Sequence, residues 1–362
     1  MSGGQFLVGT GVTIGVAGIA TFRTGRIDVG DSLLNASIGG LAGDAVTTGI
    51  RNIAIGYQAL TDNTEGDYNT VIGVMAASNT TTADQNTVIG YKSMTNATTG
   101  ANNVSVGSLA LEQLTTGGQN TAVGRDALQA LTTGANLTGI GYKALEANTT
   151  GGTNTAVGYE SMLVNTTGAQ NTAVGYAALH ANTTTSANTA VGDRALYVNT
   201  ANSNTGIGAF TLQANTTGTA NVAVGHNALN DNTTADSNTA LGYSALALNT
   251  TGEDNTAVGS GALDANTTES NMTAVGYRAL GAANGSSASS AFGANALLSC
   301  TTGNYNNAFG ESSLKTITTG ASNCAFGGSA LRETTTADNN SAFGESALRA
   351  NTTGAQNTAF GG

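Results

Sequence analysis

Few residues in this chain could do chemistry, and those few lie far apart. Nucleophilic catalysis needs a base beside its nucleophile, and histidine is the usual base near neutral pH. The chain has two histidines, His180 and His226, at variable positions that we expect to face solvent. They are separated by three units of the repeat described below, so we do not expect them to share a site. The sequence therefore predicts that this protein is not an enzyme.

Carboxylates that could bind a metal ion are scattered through predicted turns. Calcium loops space several Asp residues two apart, and calcium-binding β-rolls repeat the motif G-G-x-G-x-D. Neither pattern occurs in this chain. The acidic residues of the turns stand alone or as one adjacent pair: Glu65, Asp84, Glu253 and Asp254. We predict no metal site and no cofactor.

The cysteines and the N-terminal glycines could also do chemistry. Cys300 and Cys324 occupy different positions of the repeat, so we interpret them as unpaired structural thiols rather than a disulfide or a metal pair. Gly9, Gly11 and Gly15 are spaced somewhat as in a phosphate-binding loop, which requires a helix to follow. The residues that follow alternate as in a strand. We predict turns and strands here, with no bound phosphate.

Charge and composition exclude several classes of protein. The net charge is −11, and the 11 Lys and Arg residues are spread singly, so the sequence predicts no nucleic-acid partner. The most apolar run, Phe6–Phe22, is interrupted by Gly and Thr and follows no basic residue, so we predict neither a signal peptide nor a membrane insertion. With 51 Gly, 9% charged residues and no Pro or Trp, the chain has the composition of small-residue β structure.

These scattered residues are carried by a repeat of 17 residues. One unit, Asn154–Gln170, reads NTAVGYESMLVNTTGAQ, and its glycine recurs 20 times between Gly39 and Gly361. Each step is 17 residues, except for one step of 16 after Gly192. A short fixed period predicts a solenoid in which each coil packs only on its neighbours.

We therefore predict an all-β protein with two parts. Residues 35–362 form a parallel β-solenoid of about 20 coils, with a spacing of about 4.8 Å between stacked strands. Residues 1–34 form a non-repeating β segment that caps the rod or joins it to another protein.

The residue types within one coil predict its interior. We number the coil from its first Asn, so that Asn154 is position 1 and Gly158 is position 5. Position 4 is always apolar and position 9 is nearly always Leu, with small residues at positions 3 and 8. We predict a thin interior between two facing short strands, built on positions 4 and 9. The predicted core residues are Val157, Met162, Val174, Leu179, Val191, Leu196, Phe292, Phe309, Phe326, Phe343 and Phe360.

Two corners complete the predicted coil. The glycine at position 5 is expected to adopt a positive φ or a bulge, and N-T-T-G at positions 12 to 15 forms the second corner. The predicted turn residues include Gly158, Gly175, Asn165 and Asn182. Asn at positions 1 and 12 and Thr at position 13 should stack into amide and hydroxyl ladders along the rod.

The pattern changes near residue 288. Asn284–Ser287 replaces N-T-T-G, and from Phe292 onward position 4 is Phe instead of Val or Ile. A Phe in an unchanged interior would overpack by about 1–3 kcal/mol. We therefore predict either a wider interior or a place for these rings on an axis shared by several chains.

The repeat resembles two groups of known proteins. N-T-A-V-G-Y-x-A is similar to the N-S-V-A-I-G-x-x-S/A repeat in the YadA-like heads of trimeric autotransporter adhesins. The longer pattern N-T-A-V-G-Y-x-A-L-x-x-N-T-T-G is similar to repeats of phage tail fibre proteins, which are often followed by an intramolecular chaperone peptidase domain. The opening G-T-G-V-T-I-G-V-A-G-I-A-T-F resembles segments in fibre proteins of marine tailed phages.

The resemblance implies a left-handed parallel β-roll assembled as a homotrimer. Adhesin heads usually repeat nearer 14 residues, and this sequence shows no secretion signal, coiled-coil stalk or membrane barrel, so the phage fibre is favoured. The implied role is the shaft of a tail fibre in the virion, presenting host-recognition surfaces. Its implied partners are its own copies and, through residues 1–34, other tail or fibre proteins. The sequence stops inside a coil at Gly361, which leaves truncation, processing or a fragment open.

Three tyrosines are candidates for contact with host surface glycans. Tyr142, Tyr159 and Tyr176 occupy position 6 of consecutive coils and would form an exposed aromatic strip for sugar stacking. The alternative is that they are ordinary turn residues.

Two other functions stay open at this point. A bacterial trimeric surface adhesin, or a self-assembling extracellular filament, would use the same rod outside the cell. The rows of Thr also suggest an ice-binding solenoid. Ice-binding arrays need two Thr on the same face, whereas adjacent Thr at positions 13 and 14 should point to opposite faces.

Overall fold

The computed structural model describes residues 33–361, and the predicted β segment over 1–34 lies almost wholly outside them. Within the described range the chain forms twenty three-residue β-strands and no helix. In chain order, the strands are β1 Ala36–Ile38, β2 Ile53–Ile55, β3 Thr70–Ile72, β4 Thr87–Ile89, β5 Val104–Val106, β6 Thr121–Val123, β7 Thr138–Ile140, β8 Thr155–Val157, β9 Thr172–Val174, β10 Thr189–Val191, β11 Thr205–Ile207, β12 Val222–Val224, β13 Thr239–Leu241, β14 Thr256–Val258, β15 Thr273–Val275, β16 Ser290–Phe292, β17 Asn307–Phe309, β18 Cys324–Phe326, β19 Ser341–Phe343 and β20 Thr358–Phe360.

The strands form one parallel sheet in which each strand pairs with the next along the chain. Residues 17 apart are paired, as in Ala156 with Ala173 and Val157 with Val174. Across the shortened coil the register shifts to 16, so that Thr189 pairs with Thr205 without a break in the sheet. The predicted all-β parallel solenoid with a 17-residue repeat is confirmed.

The interior of most coils is built from one small and one large side chain. On the strand, position 3 points inward, and Ala156 and Ala173 are fully buried. Position 9 fills the space opposite, where Met162, Leu179 and Leu196 have no exposed surface. Facing Ala with Leu gives a cross-section that one 17-residue coil can enclose.

The second predicted strand is absent, because positions 6 to 11 form successive turns. Positions 7 and 9 adopt left-handed backbone, with φ of 48° at Ala177 and 53° at Leu179. This conformation costs roughly 1–2 kcal/mol per non-glycine residue. Hydrogen bonds between coils offset that cost, because the N–H of Ala177 and that of Leu179 each donate to the neighbouring coil at 2.9 Å. The turns are therefore stacked as regularly as the strands.

Glycine is required where the strand ends. The φ angles are +141° at Gly158 and +139° at Gly175, in a region that L side chains rarely adopt. A Cβ on Gly175 would also collide with the carbonyl oxygen of Gly192 in the next coil. The predicted positive φ at position 5 is confirmed.

Asparagine ladders run through the buried corners of the rod. The backbone N–H of Asn171 donates to Oδ1 of Asn154 at 2.9 Å, and the same pattern recurs along position 1. At position 12, Asn165 donates to Asn148 and accepts a hydrogen bond from Asn182 at 2.8 Å. These amides satisfy buried polar groups coil by coil, as predicted.

The threonines of the second corner bind differently from the prediction. The hydroxyl of Thr166, at position 13, donates to the carbonyl oxygen of Thr183 at 3.0 Å rather than to another hydroxyl. The same bond recurs at most position 13 threonines, for example from Thr216 to the carbonyl of Thr233. Side chains at this corner thus reinforce the backbone ladder between coils.

Candidate assembly surface

The most continuous feature of the outer surface is a row of apolar side chains at position 4. Because consecutive residues of a strand point to opposite faces, burial of position 3 turns position 4 outward. We call the position 4 residues the outer row, which consists of Ile38, Ile55, Ile72, Ile89, Val106, Val123, Ile140, Val157, Val174, Val191, Ile207, Val224, Leu241, Val258, Val275, Phe292, Phe309, Phe326, Phe343 and Phe360.

The outer row corrects the predicted core. Val157, Val174 and Val191 are only half-buried on the single chain, and Leu241 is 47% exposed. The reason is steric, since the interior is already filled by Ala at position 3 and Leu at position 9. Apolar residues at position 2 widen the row in places, as at Ile53.

The five phenylalanines of the outer row are also turned away from the interior. Neighbouring rings stack at centroid distances of 4.8 to 6.3 Å from Phe292 to Phe360. Phe326 is 54% exposed, and Phe309 is half-buried. Position 3 remains a fully buried Ala beside them, as at Ala308, so the predicted wider interior is wrong. The other prediction, a shared axis, stays a prediction.

The outer row carries no charge. Each of its twenty members is Ile, Val, Leu or Phe, and the flanking position 2 holds only Thr, Ser, Asn, Cys, Ala, Val or Ile. With strands about 4.8 Å apart, twenty coils give the row a length of roughly 95 Å. Monomeric soluble proteins rarely expose apolar patches of more than a few hundred Å². A surface of this shape is typical of a protein interface.

The candidate glycan residues form a closed stack. Tyr142 stacks on Tyr159 at 5.2 Å, and Tyr159 stacks on Tyr176 at 5.4 Å. The guanidinium of Arg194 lies over the Tyr176 ring at 5.6 Å, and the ammonium of Lys143 lies over Tyr142 at 5.7 Å. The structure thus brings the three rings together, and the ring faces between them are covered by direct stacking.

A notch further along the same side was not predicted from the sequence. A cavity of about 250 Å³ is lined by Tyr243, Ser260, Gly261, Asp264, Tyr277 and Arg278, together with Ser244. The signal that could have found it is the coil of Gly259, whose positions 6 and 7 are Ser and Gly between coils that carry Tyr at position 6.

The histidines stay apart from each other and lie in aromatic columns. His180 stacks on Tyr197 at 5.0 Å, and its Nε2 lies 3.9 Å from a carboxylate oxygen of Glu160. Burial lowers the pKa of His180, while the Glu160 carboxylate opposes that shift. His226 stacks on Tyr243 at 5.6 Å. These contacts are those of packed surface rings.

The thiols occupy two different environments. Cys300 is buried at position 12, and burial raises the pKa of its thiol. Cys324 is half-buried at position 2, beside the outer row, and the two cysteines are not bonded to each other.

Within residues 33–361, His, Cys, Asp and Glu side chains nowhere gather in a group of three or more that could hold a metal ion. That part of the chain also has no helix of the length and apolarity needed to cross a membrane.

Comparison with models of known protein families gives no match. Comparison with curated protein sequences gives none either.

Proposed function

We propose that this chain is the shaft of a phage tail fibre, in which three copies associate in parallel with their outer rows on a common axis. The observation that carries the proposal is the uncharged outer row, which runs through all twenty coils on one face of the sheet. Covering it stabilises the assembly because apolar burial contributes roughly 25 cal/mol per Å².

The repeat of the outer row supports a copy of the same chain as its partner. A partner must offer apolar side chains at the same strand spacing over about twenty steps, and another copy of this chain does so. In a parallel arrangement Phe309 meets Phe309 and Val174 meets Val174, so the larger side chains coincide at one level. In an antiparallel pair the five phenylalanines would instead meet the isoleucines of β1 to β4 and Val106 of β5.

The narrowness of the outer row supports closure around an axis rather than a flat pair. The row is essentially one residue wide, and it is flanked at position 2 mostly by Thr. Cyclic symmetry brings such a row from every chain to the centre of the assembly. The number three and the left-handed coil rest on the resemblance to trimeric fibre and adhesin repeats.

Stacked coils supply the rigidity that a shaft needs. Backbone hydrogen bonds join each coil to the next at the strand and in the turns, for example from Gly175 N–H to Val157 carbonyl at 2.8 Å. Bending the rod would break many such bonds at once. The proposed role is therefore that of a rigid spacer. The outward side chains of positions 6, 7 and 10 are available for contact with host surface glycans.

Native mass spectrometry tests the assembly. We expect the wild-type chain to have three times the mass of one chain, and Phe309→Glu combined with Phe326→Glu to fall to the single-chain mass, because buried unpaired carboxylates are costly. The matched control places the same charges at exposed position 14, as Thr302→Glu with Thr319→Glu, and should stay trimeric. A monomeric wild type would refute the proposal.

Cross-linking at Cys324 tests the direction of the chains. Cys324 lies beside Phe326 on the outer face, so a short trifunctional maleimide should join three chains in a parallel assembly. Cys324→Ser should abolish the product, because Cys300 is buried. An antiparallel pair would separate the Cys324 residues and give no covalent trimer.

Labelling of virions with antibodies tests the assignment to a phage. Antibodies against the chain should decorate the tail fibres of the virion, and failure to do so would remove that assignment.

A further inference from the structure

We infer that the notch between Tyr243 and Tyr277 binds one pyranose ring of a saccharide between the faces of the two tyrosines. This inference rests on the proposed attachment role only for the source of the sugar. The geometry of the notch stands independently of the number of chains in the assembly.

The notch exists because one ring is missing from an aromatic column. Where position 6 is Tyr in consecutive coils, the rings stack directly, as Tyr142, Tyr159 and Tyr176 do at 5.2 and 5.4 Å. Between Tyr243 and Tyr277 the intervening position 6 residue is Ser260. The two tyrosines therefore lie two coils apart, or about 10 Å from twice the strand spacing. One further ring fits between them at the usual stacking separation of about 4.5–7 Å.

Glycine at position 7 deepens the notch. Most coils carry a longer side chain here, such as Glu160 or Arg278, whereas the coil of the notch has Gly261. The backbone is ordinary for this position, since φ is +65° at Gly261 and +50° at Arg278. A Cβ on Gly261 would lie 3.4 Å from Cγ of Arg278 and 3.5 Å from Oδ2 of Asp264, so side-chain atoms there would enter the cavity.

The ring faces that line the notch are free. His226 stacks on Tyr243 from the preceding coil at 5.6 Å, which leaves the face toward Ser260 without a ring partner. Tyr277 stacks on no other ring within residues 33–361, and the two tyrosines are 60% and 55% exposed. Tyr176, by contrast, has Tyr159 on one side and the guanidinium of Arg194 nearby. The notch therefore offers a gap between two facing tyrosine rings, whereas the rings of the predicted tyrosine strip are in direct contact.

The wall of the notch supplies polar groups that suit hydroxyls. Asp264 lines the notch through Oδ2, which lies 3.5 Å from where a Cβ on Gly261 would stand, whereas its Oδ1 is turned away from solvent. Burial raises the pKa of the Asp264 carboxyl, and the nearby Arg278 guanidinium opposes that shift. A sugar hydroxyl can donate to the carboxylate, and the guanidinium can donate to a second sugar oxygen. At about 250 Å³ the cavity is smaller than typical pockets for drug-sized ligands, which fits a single ring.

The two aromatic faces also select the configuration of the sugar. A β-glucopyranose unit has all its ring substituents equatorial, so both of its faces present axial C–H groups to the tyrosines. A galactopyranose unit has an axial hydroxyl, which places a polar group against one ring. We therefore assign the notch to glucopyranosyl units, with galactopyranosyl units bound more weakly.

Saturation-transfer NMR with methyl β-glucopyranoside and methyl β-galactopyranoside tests this assignment. We expect saturation transfer to the glucoside and weaker binding of the galactoside. Ser260→Tyr restores the missing ring and should abolish binding without disturbing the fold, since three consecutive tyrosines already stack at this position elsewhere. Tyr277→Ser should weaken binding roughly three- to tenfold through loss of one stacking face.

Ser108→Tyr is the matched control, because it adds a tyrosine at position 6 between Tyr91 and Arg125, where no tyrosine pair is bridged. Binding should be unchanged. Wild-type protein that binds neither glycoside, or a Ser260→Tyr variant that binds like wild type, would overturn the inference, as would equal loss in both Ser→Tyr variants. Native mass spectrometry of the same samples separates the two proposals. A monomer that binds the glucoside refutes only the trimer, and a trimer that does not bind refutes only the notch.

Discussion

The coils of β8 to β15 and those of β16 to β20 share one backbone but differ in their side chains. The register passes from one region to the other without interruption, since Val275 pairs with Phe292. On the outer row the first region carries Val, Ile or Leu and the second carries Phe. At buried position 12 the first has an unbroken run of Asn from Asn165 to Asn266 and ends with Ala283, whereas the second begins with Cys300 and Ile317.

The comparison shows where the coil is constrained. Position 3 is Ala in both regions, except for Gly206 on β11, and position 5 is Gly throughout, because those two places are enclosed by neighbouring coils. The outer row can change from Val to Phe because it lies outside the interior of its own chain. Size on the outer row is therefore not limited by the interior of the coil.

The largest effect should come from glycine at position 5, equally in both regions. Gly175→Ala and Gly310→Ala each force a Cβ against a carbonyl of the next coil at a φ above +130°. We expect each to lower the free energy of unfolding by about 3–5 kcal/mol, measured by chemical denaturation. Ala177→Gly is the control at a position where the backbone is already left-handed, and it should not destabilise in this way. A tolerated Gly310→Ala would show that the Phe coils are looser.

The next largest effect should come from enlarging position 3. Ala173→Leu and Ala308→Leu insert bulk against a filled interior and should cost about 1–3 kcal/mol, again by denaturation. Val174→Phe, one residue away on the outer row, should leave the unfolding free energy of the separated chain nearly unchanged. Equal losses at Ala173 and Val174 would break the distinction between the inner and outer faces.

A smaller effect should separate the two regions at position 12. Asn165→Ala removes hydrogen bonds with Asn148, Gly168 and Asn182. We expect the free energy of unfolding to fall by about 1–2 kcal/mol, because the buried groups of these residues lose their hydrogen-bond partner. Cys300→Ala at the same position should cost less, since its thiol makes only weak contacts. Thermal and chemical unfolding of both variants provide the measurement, and the reverse order would contradict the ladder.

The smallest effect concerns pH and falls on one region alone. The pKa of His180 is lowered in the folded chain, so the unfolded chain binds a proton more readily and folding weakens as pH falls below about 6.5. Hydrogen exchange should show reduced protection at Leu179 at pH 5 relative to pH 7, after correction for intrinsic rates, but no such change at Leu314. The variant His180→Gln should remove the difference, and its persistence there would assign it to another group.

Much of this architecture could be predicted from the sequence because stacking enforces the period. The 17-residue spacing places Val157 beside Val174, and the glycine that follows requires a conformation other residues avoid. The amide ladder of Asn165 and Asn182 also follows, since a polar residue repeated at a buried position needs itself as a partner.

Three features could not be predicted, for reasons of geometry. The choice of inward face depends on how much volume one coil can enclose, and Leu179 already takes that space, which leaves only Ala at position 3. The turns of positions 6 to 11 place Leu179 and Ala177 in left-handed backbone, which neither residue type favours. The notch depends on the absence of large side chains at Ser260 and Gly261. A repeat pattern shows which residues are preferred at each position and does not indicate where a bulky side chain is missing.

The shortened coil has a consequence for how such a molecule can vary in size. One residue is lost near Ala201, and still Thr189 pairs with Thr205 and the sheet continues on both sides. Because a defect in one unit does not propagate to the next, whole units can be duplicated or deleted in the gene with little cost in foldability. Each such event would lengthen or shorten the molecule by a fixed increment of about 4.8 Å. Recombination between near-identical units would therefore change the length of the rod in whole steps.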